Sequence, residues 1–313
     1  MPNSTTVTFS DPYEYQTSHR EALQKLVVTA RGDYRAKITS IELHRLRILR
    51  GWHSLPTVSH ASLREDQSPI VFPTDGRQPP SMNNGVEVRP GEMVITRLGG
   101  EYHARTPPQK RWGSLSLTAD DLAAFSRVLV GCALKPPPET RVIRPDPAAM
   151  SRLLSLHNAV GGLAATAPDI LAHPKVAKAI EQELVRALIA CLPGTASTQS
   201  RQPLRGTVMQ RFEQMIEAHR DEPLYLTDVC TALGVSDRTL RLYCQDLLGM
   251  GPQRYLWLRR MHQARRALTL ADPAETTVTV IANDHGFAEL GRFAVAYREL
   301  FGERPSMTLR RAA

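Results

Sequence analysis

TDVCTALGVSDRTLRLYCQDLLGMGPQRYL (residues 227–256) and TVIANDHGFAELGRFAVAYRELFGERPSMTL (residues 279–309) are two versions of one pattern. Thr227, Val229 and Gly234 match Thr279, Ile281 and Gly286 at an offset of 52. Leu240, Cys244, Gly249, Pro252 and Leu256 match Phe293, Tyr297, Gly302, Pro305 and Leu309 at an offset of 53, so one inserted residue separates the two registers. A duplication of this kind means that one supersecondary unit is used twice. Each copy predicts a short helix begun by a threonine N-cap. Gly234 or Gly286 ends it in the left-handed conformation. A tight turn then leads into a second helix whose apolar residues face the first, which is a helix-turn-helix.

In the first copy Val235, Leu240, Cys244 and Leu247 point inward, while Arg238, Arg241, Leu242 and Gln245 fall on the opposite face. A recognition helix presents such a face to the major groove, N-terminal half first. Between the copies a helix of about 17 residues, from Pro252 to Leu268, would be about 25 Å long. That length suits two recognition helices set in successive major grooves. A plain helical bundle with solvated arginines is the competing reading, and two units in register across a spacer helix argue against it.

Residues 207–313 resemble the DNA-binding domain of the AraC/XylS family. The resemblance is carried by VSDRTLR, by LGMGPQRYLWLRRMHQARRAL and above all by VIANDHGFAELGRFAVAYRELFGERPSMTLR. It implies two helix-turn-helix units on one face of DNA and control of transcription, most often activation. Promoter DNA and RNA polymerase are the partners it implies. By the same resemblance bases are read around Leu240, by Arg238 and Arg241, and around Phe293, by Leu290, Gly291, Arg292, Ala294 and Val295. The DNA-binding set is then Ser236, Arg238, Thr239, Arg241, Gln245, Glu289, Arg292 and Arg298. Leu242 and Val295 stand where a basic residue is frequent in the family. The second unit is thus poor in hydrogen-bond donors and suited to thymine-methyl contact, shape readout or phosphate contacts.

Upstream the pattern changes. From about 35 to 117 short strands alternate with turns: Ile41 and Leu43, the run Ile70-Val71-Phe72, then Val86 and Val88 joined through Pro90-Gly91 to Met93-Val94-Ile95. This part is similar to the cupin-like sensing barrel of the same family, through the Pro90-Gly91 turn, GEYHART (100–106) and RWGSLSL (111–117). The expected fold class is therefore α+β. A cupin-like effector-sensing domain spans 1–145 and a helical dimerisation segment 146–192. A linker spans 193–206, and the all-α DNA-binding domain spans 207–313. In the helical segment Val176, Ile180, Leu184 and Leu188 form a stripe that serves either as a seam between two subunits of a homodimer or as packing against its own barrel.

A barrel mouth is a common small-molecule site. Phe72, Tyr102, His103, Arg105 and Trp112 are its candidates for binding an effector, with Arg able to grip a carboxylate; the plainer reading is that the aromatics are core and that His103 and Arg105 are solvated. No HxH cluster occurs, and His44, His53, His60 and His103 are isolated in the strand region, which argues against catalytic metal. No nucleophile motif or glycine-rich phosphate loop is present, so neither enzymatic activity nor a cofactor is expected. The alternatives are a regulator whose N-terminal domain only oligomerises, and a cupin-type enzyme with a helical protein-docking tail.

The chain carries a net charge of +8, which favours a polyanionic partner. Yet residues 207–313 hold fourteen Arg, no Lys and thirteen acidic residues, a net charge of only +1. The placement of arginines, not bulk charge, must make the DNA site. No stretch approaches the roughly 18 uncharged apolar residues of a membrane span, and the start MPNSTTVTFSDPYEYQ lacks a secretory pattern, so the expected compartment is the cytoplasm. Cys132, Cys191, Cys230 and Cys244 are dispersed and read as free thiols.

Overall fold

A computed structural model describes residues 2–18, 22–193, 195–199, 203–219 and 224–311. The strand region opens with β1 (Asn3–Phe9), a short α1 (Pro12–Thr17) and β2 (Ala22–Val28). There follow β3 (Ala36–Glu42), β4 (Arg47–His53), β5 (Thr57–Leu63), β6 (Ser68–Pro73), β7 (Ser81–Asn83), β8 (Val86–Val88), β9 (Met93–Ile95), β10 (Glu101–Thr106) and β11 (Lys110–Leu117). Helix α2 (Ala119–Val130), strand β12 (Arg141–Arg144), and helices α3 (Pro147–Thr166), α4 (Pro168–Ala172) and α5 (Pro174–Cys191) come next. After β13 (Thr195–Gln199) the described chain is helical: α6 (Pro203–Ala218), α7 (Leu226–Leu233), α8 (Asp237–Leu248), α9 (Pro252–Leu270), α10 (Val278–Asp284), α11 (Leu290–Phe301) and α12 (Pro305–Arg311). The α+β class and the order of its parts are those expected.

The strands form two antiparallel sheets, one of eight strands in the order β1-β3-β4-β11-β6-β9-β12-β13 and one of five in the order β2-β5-β10-β7-β8. The two-residue alternation of a strand lets one sheet serve two cores. On β4, Ile48 joins the cluster under the helices with Ile41, Leu115, Leu153 and Leu184, whereas Leu49 joins Phe9, Tyr15, Leu26 and Ile38 between the sheets. Helices α3 and α5 cover the outer face of the large sheet.

That packing engages the α5 stripe. Leu184 and Leu188 are fully buried within their own chain, and Val176 and Ile180 are half-buried. Leu184 and Leu188 are thus spent on the sheet and α3 of their own chain, the second of the two expected roles. The reason is the large sheet's outer face, which carries Ile41, Ile48 and Leu115 and needs an apolar lid.

Two expectations are corrected. The segment expected as a linker, 193–206, contains β13, which pairs antiparallel with β12, and the start of α6. The β12 pattern R-V-I-R has a backbone edge that β13 covers. Helix α6 then belongs to the C-terminal core, where Val208, Met209, Phe212 and Ile216 are buried with Val229, Leu240 and Tyr255. The matched threonines are not N-caps. Thr227 and Thr279 lie inside α7 and α10, whose caps are Tyr225 and Thr277, two residues earlier in each copy. Thr277 accepts from Val280 N as a true cap, while Tyr225 makes no side-chain cap bond. The register of the repeat is thus intact, and only the position of the helix start was misplaced.

Candidate nucleic-acid interface and sensor cavity

Each recognition helix is fixed by its local sequence. Gly234, with φ +66°, ends α7 and lets the chain turn within two residues to Ser236. Ser236 is the N-cap of α8, its hydroxyl accepting from Thr239 N at 3.1 Å. Leu240, Cys244, Leu247 and Leu248 pack inward. Arg238, Arg241, Leu242 and Gln245 are exposed on the other side, as expected. Arg241 Nε donates to Asp237 Oδ2 at 2.8 Å, one turn earlier. Arg238 has no ion pair among the described residues. Ser236 and Thr239 bond to each other, at 2.9 Å between hydroxyls, so their first task is to start the helix.

The second unit repeats the plan with poorer equipment. On α11, Phe293, Tyr297, Leu300 and Phe301 are buried. Glu289, Leu290, Gly291, Arg292, Ala294, Val295 and Arg298 are exposed. Arg292 Nη1 donates to Glu289 Oε1 at 2.9 Å, the counterpart of Arg241 with Asp237. Val295 is 59% exposed, an apolar group with nothing of its own chain to cover it. Between the units α9 has 19 residues, two more than expected, a length of about 28 Å. Its inner face is anchored by a buried trio, in which Arg259 Nη1 meets Glu213 Oε2 at 3.0 Å and Tyr255 Oη donates to Glu213 Oε1 at 2.7 Å.

Between the two sheets lies a cavity of about 130 Å³. Tyr102 and Trp112, two of the effector candidates, line it. Trp112 fits because the cross-strand neighbour is Gly51; a Cβ there would sit 2.1 Å from the indole. Phe72 belongs to the wall too, but its ring packs edge-on against His157 of α3, 5.2 Å between centroids. His103 and Arg105 do not reach the cavity. On β10 the alternation sends Tyr102, Ala104 and Thr106 inward and His103 and Arg105 outward. On β5, Thr57 and Ser59 are inward while Val58 and His60 face out.

The outward residues are not solvated either, because the C-terminal helices dock on this face. Val27 and Val58 are part of the C-terminal core. His60 and His103 stack at 4.7 Å, and His103 Nε2 lies 3.4 Å from Glu213 Oε1 of α6. Burial pushes the Glu213 carboxyl up, but His103 and Arg259 overcome it and hold it at about 2, so it is ionised. Burial lowers His60 below the usual imidazole range. His262 of α9 donates from Nε2 to Val28 O at 3.0 Å, and burial brings it down to about 4. Arg266 stacks on Tyr13 at 3.6 Å, and Lys25 pairs with Glu217. Arg105 reaches the C-cap of α8: a Cβ on Gly249 would lie 2.0 Å from its Nη1, and Gly249 has φ +71°. The five-stranded sheet therefore has the cavity on one face and the base of a recognition helix on the other.

Sequence reasoning missed Lys110. It is 4% exposed and lines the cavity in phase with Trp112 and Ser114 on β11. That two-residue phase with an inward tryptophan was the available signal.

Two helix-turn-helix units joined by a helix and carrying exposed arginines define a double helix-turn-helix domain. A family model described as a helix-turn-helix domain matches residues 229–311. The "Probable thc operon regulatory protein" of Rhodococcus erythropolis is 36% identical over 146 residues, 46% of this chain and 44% of that protein. The "XylDLEGF operon transcriptional activator" of Pseudomonas putida is 35% identical over 101 residues, 32% of each chain. A solved structure of a probable AraC family transcriptional regulator from Rhodopseudomonas palustris is 36% identical, covering 34% of this chain and 97% of that one, with a TM-score of 0.32. Over this domain the chain resembles regulators of the AraC/XylS family. The matches span less than half the length of these curated relatives.

Proposed function

We propose that the protein is a sequence-specific DNA-binding regulator of transcription, an activator that acts as a homodimer on promoter DNA, works with RNA polymerase and answers to a small molecule held between its N-terminal sheets. The observation that carries the reading is the pair of recognition helices, each packed by its apolar face and each leaving arginines exposed on the other. Arginine in that position suits bidentate contacts to guanine or phosphate. The relatives' names, operon regulator and operon activator, support the direction of the output. The cavity beside the docked α8 supports a response to a ligand, since whatever shifts β10 also shifts His103 and Arg105 against α6 and Gly249. In this reading the sensor comprises roughly residues 1–192 and the DNA-binding domain the helices from α6 onward. Among the described residues no helix is long and apolar enough to cross a membrane.

The test is a mobility-shift titration of the full-length protein on DNA from upstream of its gene and of the neighbouring genes, against shuffled DNA of the same composition. Selective retardation is expected at physiological salt. Equal retention of shuffled DNA would remove the assignment of sequence-specific recognition.

A further inference from the structure

Most of the chain's positive charge lies outside the helix-turn-helix domain. Residues 207–313 hold +1 of the net +8, and the other +7 belongs to residues 1–206. Part of that excess is gathered on one row of the eight-stranded sheet. Thr8 pairs with Lys37, Lys37 with Trp52 and Trp52 with Arg111, across β1, β3, β4 and β11. Directly opposed residues project from the same face. The two-residue alternation makes it the face of Ile41, Ile48 and Leu115, four residues along from Lys37, Trp52 and Arg111. The apolar end of that face is closed by α3 and α5. The basic end is open: Thr8, Lys37 and Arg111 are exposed and Trp52 is half-buried, its Nε1 donating to Gln109 Oε1 at 3.1 Å. One row inward, Arg50 donates to His157 O and Asn158 Oδ1 of α3. Burial lowers Arg50 below the ordinary guanidinium range, and Arg111 beside it lowers it further. Acid is scarce here. Arg111 Nε lies 4.0 Å from Asp75 Oδ2 on an exposed surface, a pair worth little, and Lys37 and Arg50 have no ion pair among the described residues.

We infer that this row docks an acidic segment of a partner protein, its carboxylates taken by Lys37 and Arg111 with Arg50 behind them, and an apolar side chain between the carboxylates set against Trp52. Like charges held together without acids of their own are the complement of a run of carboxylates, and arginine clusters are a recurring means of recognising acidic motifs. Tryptophan and arginine are also the residue types that carry most energy at interfaces. Neighbouring strands are about 4.8 Å apart, so Lys37 and Arg111 start about 10 Å from each other. The row therefore suits acidic residues about three apart in an extended segment, at about 3.3 Å per residue, better than one small anion. Operator DNA is not the occupant. The C-terminal helices dock on the outer face of the five-stranded sheet, at Val27, Val58 and His103, whereas the row is on the outer face of the eight-stranded sheet. A duplex seated on α8 and α11 would have to bend around the molecule to reach it. The inference stands without the DNA-binding assignment, and its test uses no operator.

The experiment is fluorescence anisotropy of the full-length protein with a labelled twelve-residue peptide in which Glu and Asp flank a central Phe, at physiological salt. The peptide binds, and its Gln/Asn analogue binds at least about tenfold more weakly, as loss of charge-assisted pairs requires. Lys37→Glu with Arg111→Glu, both at exposed positions, weakens the acidic peptide at least about tenfold. Lys175→Glu with Lys178→Glu makes the same change in net charge at the exposed start of α5 and alters affinity less than about twofold, which separates the row from bulk attraction. Replacing the Phe of the peptide by Gly weakens binding to the wild type and not to Trp52→Leu. No binding by the acidic peptide, equal binding by its neutral analogue, an unchanged affinity in the Lys37→Glu, Arg111→Glu protein, an equal loss in the Lys175→Glu, Lys178→Glu protein, or a Phe effect that survives Trp52→Leu would each overturn the inference. So would a single-stranded DNA of twelve nucleotides that binds more tightly than the peptide through the same two cations, since the row would then belong to a nucleic acid.

Discussion

At the residue scale the proposed reading of DNA turns on a few arginines that the protein already restrains. Arg241 is held by Asp237 and Arg292 by Glu289, each about one helical turn away on an exposed surface. Exposed pairs of this kind are weak, so the carboxylate orients the guanidinium without opposing its transfer to a base. Arg238 lacks such a partner among the described residues. Replacing Arg238 or Arg241 with alanine is expected to cost about 1–3 kcal/mol on the preferred site and to relax preference at one base pair. Fluorescence anisotropy on operator and shuffled DNA measures both quantities. Unchanged discrimination in both variants would take these residues out of the base-reading set.

At the element scale two helices with similar apolar stripes do different things. The stripe of α5 closes the core of the N-terminal part, so Ile180→Asp with Leu184→Asp places carboxylates among Ile48, Leu153 and Leu188. Removing such a leucine alone costs about 2–5 kcal/mol, and the buried charge adds to that. The expected result is loss of the N-terminal cooperative unfolding transition in circular dichroism; recovery of a folded, soluble monomer would instead restore the stripe as a subunit seam. The recognition helices differ from each other in the same spirit. In the proposed reading α8 offers Arg238, Arg241 and Gln245 to base edges, whereas α11 offers Gly291, Ala294 and Val295, with Arg292 and Arg298 to the sides. Hydrogen bonds to bases carry sequence information and phosphate contacts carry affinity. Base changes under α8 are therefore expected to cost about 1–3 kcal/mol each, and those under α11 less. Arg298→Ala should weaken binding on every sequence and flatten the salt dependence by up to about one unit of slope. A saturation scan of one operator at several salt concentrations separates the two patterns, and a sequence-selective effect of Arg298 counts against this division.

At the scale of the whole molecule the N-terminal sheets and the C-terminal helices share a buried polar seam, and it is expected to be sensitive to acid. His262 bonds to Val28 O across the seam and is held down at about 4, with Arg259, Arg265 and Asp11 as its charged neighbours. His157, on the buried face of α3, is held at about 4 as well. A folded-state value below the ordinary 6.5 means that the unfolded chain binds protons first. Stability from each histidine is therefore complete above 6.5 and is lost as pH falls toward 4, by up to about 1.4 kcal/mol per pH unit. Glu213, depressed to about 2, loses its share only below the ordinary carboxylate range, and in the same direction. Calorimetry should show a lower Tm at pH 5 than at pH 7, with a smaller difference in His262→Gln, which keeps a donor for Val28 O without the titration. A Tm that ignores pH in this interval rules out the buried neutral histidines. A fragment beginning at Pro203 should fold by itself, because α6 brings its own buried side chains; one beginning at Thr207 loses the first turn of that helix and should be measurably less stable. Equal denaturant midpoints would show that the turn is dispensable.

How much of this was legible in the sequence follows from the range of the interactions involved. The repeat at residues 227–309, its glycine turns and the inward and outward faces of α8 and α11 are local matters of period, cap and breaker, and the sequence by itself determined them. The order of strands, turns and covering helices was legible for the same reason. Which face of a strand meets which neighbour was not. His103 and Arg105 are polar and in phase with each other, and polarity ordinarily means solvent; here both faces of β10 are covered, one by the cavity and one by α6 and α8, so polarity no longer tells inside from outside. The α5 stripe was equally compatible with a partner chain or its own sheet until the apolar outer face of the large sheet was seen to need it. Lys110 shows the same limit. A lysine after a turn reads as solvated, and only the closure of β11 against β7 buries its ammonium beside Ser81 and leaves it facing an apolar space with no acid of its own.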